Sequence, residues 1–104
     1  MNIILKLRIL EELKSTTNQH DYVSALRRMN DLKPGYMDYM TTEPLEVEFE
    51  LLRVEDADYD LCCAILTMLA YEDDIDFAKH CLTGEVNKIV DRMIELLQYQ
   101  RATA

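Results

Sequence analysis

The chain has 104 residues, about one domain's worth, with 49% hydrophobic and 30% charged residues, the balance of a folded globular protein rather than a disordered one. Eleven basic side chains stand against twenty acidic ones, a net charge of −9, and a surface of that sign repels phosphates, which argues against nucleic acid and anionic membrane as partners. Two glycines and two prolines are too few for the many turns of an all-β sandwich.

Residues 3–14 carry two competing patterns. Leu5, Leu7 and Ile9 alternate with Lys6 and Arg8 as in a half-buried strand, whereas Ile3, Leu7, Leu10 and Lys14 share one helical face. Strong helix formers from Leu10 to Lys14 favour helix. Ser15-Thr16-Thr17-Asn18 interrupts it, because such side chains compete for backbone hydrogen bonds. Any of Thr17, Asn18 or Asp21 can then cap a second helix with its stripe at Val23, Leu26, Met29 and Leu32, ended by Pro34-Gly35. Residues 36–44 read as an irregular connector of unusually large side chains.

The segment Leu45–Leu51 alternates strictly, yet read as a helix it aligns Leu45, Phe49 and Leu52 on one stripe. A two-stranded unit gains little by itself, so helix is favoured here too, opened by Thr42 and Pro44. If both alternating segments were strands, 3–9 and 45–51 would pair into a small β element. From Asp58, a good N-cap, a helix runs through 59–71, opened by Tyr59-Asp60 and from Leu61 on apolar on every side except at Thr67. A helix apolar all round is surrounded by other elements, which places it at the centre. The acidic run 72–76 reads as a loop, 77–82 as a short helix stopped near Gly84, and 85–98 as a final helix capped by Thr83. That last helix has its stripe at Val86, Ile89, Val90, Met93 and Leu97, with Ile94 and Leu96 outside it. Residues 101–104 are expected to fray. The expected fold is therefore a mainly α, compact single domain over 1–104, of four or five helices around a central one near 59–71, with an α+β arrangement as the alternative.

The thiols and imidazoles invite a metal site. Cys62, Cys63, Cys81, His20 and His80 supply nitrogen and sulfur, but adjacent helical residues diverge by about 100° and cannot share one ion easily. Cys62 and Cys63 read as core packing and His80 as a surface or edge histidine. An EF-hand loop starting at Asp74 or at Asp56 lacks the glycine at its sixth position. No nucleophile elbow or glycine-rich phosphate cradle is present. No catalytic, cofactor-binding or metal-binding residue is therefore assigned, and no cofactor is expected. An odd cysteine count with no disulfide framework, together with no apolar run of membrane-spanning length, points to a cytoplasmic protein. The apolar N-terminus, broken early by Lys6 and Arg8, is not read as a signal peptide.

What remains is surface. Tyr36, Met37, Tyr39 and Met40 combine aromatic and adaptable side chains of the kind found where proteins meet, and Ile94 and Leu96 widen the last helix beyond one core face. These six residues form the candidate interaction surface; packing against the domain's own core is the competing explanation. Charge is also uneven. Residues 1–35 hold six basic against four acidic side chains, residues 36–104 five against sixteen, so opposite ends could attract within a chain or between copies.

The run Ala57–Leu69, with Gly84-Glu85-Val86 and Ile89–Ile94, resembles the C-terminal half of certain small bacterial proteins grouped only as domains of unknown function. The resemblance implies a bacterial or mobile-element origin and no activity. Together these readings lead to a non-enzymatic protein-interaction or regulatory module that binds a protein partner or itself, as a homodimer. An acidic nucleic-acid mimic occupying a basic protein groove is the first alternative, since 46–76 holds eleven acidic residues against Arg53 alone. A small metal-dependent enzyme is the second.

Overall fold

Four short polar side chains begin four of the helices. In the computed structural model, which describes residues 1–103, Asn2 accepts from the Leu5 amide at 2.9 Å, and Asn18, Asp58 and Asp73 accept from His20, Leu61 and Asp76 at 2.8 Å each. Each satisfies an N–H that the first helical turn leaves without a partner. The helices are α1 (Ile3–Leu13), α2 (Gln19–Arg28), α3 (Val47–Leu51), α4 (Tyr59–Ala70), α5 (Asp74–Leu82) and α6 (Glu85–Thr103). Two 3₁₀ turns, Tyr36–Tyr39 and Leu52–Asp56, complete the fold. Among the described residues there is no strand, and the mainly α compact expectation holds, with five longer helices and the single-turn α3. Both alternating segments are helical.

Helix ends differ from expectation where a local motif outranks the obvious breaker. The second helix stops at Arg28, well before Pro34, because Asn30 adopts the left-handed conformation at φ 61°. The Asp31 and Asn30 amides donate back to Leu26 O and Arg27 O at 2.8 and 3.1 Å, the Schellman closure. The acidic run 72–76 is loop only at its start, since Asp73 caps α5 and Asp74 lies inside it. Thr83 closes α5 rather than capping α6, and Gly84 at φ 82° joins the two helices. Lys88 donates to Gly84 O at 2.9 Å, so one glycine ends a helix and begins the next. Residues 101–103, expected to fray, continue α6; residue 104 lies outside the described residues.

The core forms around α4. Every residue from Cys62 to Ala70 is buried, and α4 packs against α2, α5, α6 and the Tyr36–Tyr39 turn. Thr67, its one polar residue in that run, donates to Cys63 O at 2.8 Å and accepts from the Lys33 amide at 3.1 Å. Its hydroxyl is thus satisfied where an unpaired one would be costly. The longest helix, α6, lies against both α4 and α1. Two neighbours require two apolar stripes, which explains a helix wider in apolar surface than one core face needs. Lys14 Nζ pairs with Asp91 at 2.6 Å across the α1–α6 contact. Tyr22 is buried edge-on against Phe77, with centroids 5.1 Å apart, and donates to Leu13 O at 2.6 Å. Lys6, Asp31 and Tyr59 tie three segments together: Lys6 Nζ is 3.0 Å from Asp31, which also accepts from the Tyr59 hydroxyl at 2.7 Å.

Helix α3 forms as favoured but turns its other side inward. Phe49 and Leu52, two of the three residues on the expected apolar stripe, are exposed, while Glu50, Leu51 and Val54 are buried. The carboxylate decides the orientation. Glu50 is wholly buried and accepts from the backbone amides of Thr41 and Thr42 at 3.1 and 2.9 Å. Arg53 Nη1 reaches it at 2.8 Å and donates to Tyr39 O at 2.9 Å. Burial alone would raise its pKa, but the hydrogen bonds from Thr42, Arg53 and the two backbone amides outweigh that and hold it at about 2. A buried charge so completely bonded fixes which face of the turn points inward.

Candidate functional site

Of the six surface candidates, the structure keeps some outside and takes others in. Tyr36 and Met40 are half-buried against the core, and Tyr36 meets Tyr71 edge-on at 5.8 Å. Tyr39 is half-buried and Met37 exposed. Ile94 is buried and Leu96 packs on the core, so this pair is used within the chain: the surplus apolar breadth of α6 belongs to its contact with two helices at once. Besides Met37, the exposed apolar side chains lie elsewhere, among them Phe49 (59%), Leu52 (73%), Ile75, Leu82 and Tyr99. Phe49 and Leu52 are three residues apart on one helical face, with exposed Glu46, Glu48, Glu55 and Asp56 beside them in sequence.

Cys62 and Cys63 are buried as expected, and burial pushes the Cys62 thiol up to about 12 and Cys63 up as well. Thiols held so far from ionisation are poor nucleophiles and poor ligands.

His80, read as a surface or edge histidine, is not on the surface but at the edge of a hollow. It is buried at 9% exposure on the inner side of α5. Its Nδ1 lies 2.9 Å from Glu85 Oε1, and its Nε2 lies 3.2 Å from Glu72 Oε1. The Thr83 hydroxyl donates to the same Glu85 oxygen at 2.7 Å and to His80 O at 3.2 Å. Glu48 comes in from α3: one ligand atom from each of Glu48, His80 and Glu85 lies within 4.8 Å of the others. Asp76, Lys79 and Val47 complete the rim of the hollow they share.

The electrostatics follow from this crowding. Burial alone would lower the His80 pKa, but the bond to Glu85 and the charges of Glu72, Glu85 and Glu48 raise it above its ordinary value. Burial raises Glu72, with His80 working against the rise. Burial would raise Glu85 too, yet the hydrogen bonds from Thr83 and His80 hold it below the usual carboxylate range. Glu72 Oε1 has no access to solvent and no hydrogen-bond partner; it faces the imidazole as a charge rather than through an aligned bond.

Sequence reading missed this cluster because its members come from α3, from the turn after α4 and from both sides of Gly84. The available signal was the left-handed glycine between His80 and Glu85, which folds the one back upon the other. Compared with protein-family models, with curated proteins and with solved structures, the chain matches none. No helix among the described residues is long and apolar enough to cross a membrane.

Proposed function

We propose that the chain is a non-enzymatic protein-interaction module that uses its acidic surface, with Phe49 and Leu52 as anchors, to dock on a protein with an apolar pocket in a basic surround. The observation that carries this reading is the exposure of Phe49 at 59% and Leu52 at 73% on one helical face, in a segment whose other side holds buried Glu50 and Leu51. An aromatic and a branched aliphatic side chain standing in water have a strong incentive to find a pocket. The carboxylates beside them set the sign of the partner and speed the encounter.

A second copy of the chain is one occupant to test, because Arg8, Arg27 and Arg28 are exposed and make no ion pair among the described residues. The test compares wild type with the Phe49→Ala/Leu52→Ala double variant. Light scattering over a range of concentration reports self-association. Affinity capture from the native host, followed by titration of the purified captured protein, reports a separate partner. Binding that weakens at least tenfold in the double variant and falls with added salt is expected. Equal binding by both proteins, or binding indifferent to salt, overturns the reading.

A further inference from the structure

We infer that Glu48, His80 and Glu85 form a binding site for a divalent transition-metal cation of the zinc class, with Glu72 orienting the imidazole from its far side. The site shares Glu48 with the rim of the docking surface but rests on different observations and goes beyond it.

Two observations carry it. The first is convergence: an imidazole nitrogen and two carboxylate oxygens, from three different helices, come within 4.8 Å of one another. Ligand atoms around a tetrahedral zinc lie about 2.0–2.2 Å from the ion, so the triad must close by a modest swing. Glu48 can supply it, since its side chain is exposed and already lies beside Glu85. The second is the arrangement behind the ligand. A metal-bound histidine almost always donates its other ring N–H to a carboxylate or carbonyl, which fixes the ring and its tautomer. Glu72 Oε1 stands near that position, 3.2 Å from Nε2 and removed from solvent, a small rotation short of an aligned bond. Thr83 steadies Glu85 in the same way through its hydroxyl.

The donor set selects the ion. One imidazole with two or three carboxylates suits zinc, cobalt or manganese, whereas magnesium and calcium prefer oxygen alone. A ligating imidazole must be neutral, so the cation competes with protons for His80 and binding strengthens as pH rises. Asp76 adds negative charge at the rim and Lys79 opposes it.

The test is calorimetric titration of the purified chain with Zn²⁺, and with Co²⁺ followed by its visible absorption. One equivalent should bind, with affinity rising between pH 5.5 and 7 and with Mg²⁺ and Ca²⁺ failing to compete. His80→Gln should abolish binding. Glu72→Gln should weaken it by about tenfold or more, as orienting partners do. Glu48→Gln should weaken it at least tenfold while the metal-free protein keeps its helical circular dichroism and cooperative unfolding, which separates loss of a ligand from loss of the fold. Cys81→Ser should bind as wild type does. Wild-type affinity in Glu48→Gln, loss of binding in Cys81→Ser, or no saturable binding at all overturns the inference.

Discussion

His80 Nδ1 sits 2.9 Å from Glu85 Oε1, a contact that spans the two-residue junction between α5 and α6 and becomes an ion pair when the imidazole is protonated.

That pair makes stability depend on pH near neutrality. The folded His80 pKa is raised above its ordinary value, so its contribution is complete below about 6.5 and is lost as pH rises through the folded value. The groups facing it are Glu48, Glu72, Asp76 and Glu85, with Lys79 the one cation at the rim. Urea midpoints should therefore decline from pH 6 to pH 8.5 in the metal-free wild type, and the decline should flatten in His80→Gln. A midpoint that rises over that window in wild type contradicts the geometry.

Glu50 predicts the opposite sensitivity, at acid pH. Its carboxylate is held at about 2 by its hydrogen bonds, so the stability it confers is present above the ordinary carboxylate pKa of about 4.3 and disappears as pH falls towards the folded value. Glu50→Ala leaves five donors on Thr41, Thr42 and Arg53 without their acceptor. The expected loss is about 3 kcal/mol at pH 7, measured by denaturant unfolding, with the difference from wild type shrinking below pH 3.

Ile94 and Phe49 distinguish core from surface. Ile94→Ala removes buried methyl groups and should cost about 2–4 kcal/mol. Phe49→Ala removes an exposed ring and should change stability by no more than about 0.5 kcal/mol. Equal losses in the two variants would place Phe49 against the core.

Asn30 holds its left-handed conformation at φ 61° at some steric cost. Asn30→Gly should be neutral or slightly stabilising, and Asn30→Ala should destabilise by about 1 kcal/mol, both read from thermal or urea midpoints.

The thiols should separate by reagent. With Ellman's reagent under native conditions, Cys62 and Cys63 should stay unreactive and half-buried Cys81 should react slowly. All three should react at once in denaturant.

Much of this architecture was legible in the residues because local chemistry wrote it plainly. Asp58 before an apolar run, and that run being apolar on every side, placed α4 at the centre. Asn18 was among the caps named for α2. Where local signals competed, tertiary context decided. The alternation of Leu45–Leu51 does not distinguish strand from helix, and the small gain of an isolated two-stranded unit favoured helix, but the inward face depended on Glu50 finding donors eight and nine residues upstream. No periodicity reports that. Ile94 and Leu96 looked like surplus on one helix because the second partner of α6, the first helix of the chain, could not be foreseen from spacing. The His80 cluster was hidden for a similar reason: Glu48 and Glu72 reach it only after α3 and the end of α4 have been laid against α5.

The Thr83-Gly84 junction has a mechanical consequence. With only two residues between α5 and α6, the elbow has almost no freedom to swing, so the spacing of His80 and Glu85 is set by backbone they share rather than by distant packing. Lengthening the elbow by a residue or two should decouple the pair while sparing the α4–α6 interior, much as loosening a hinge frees a door without moving its frame.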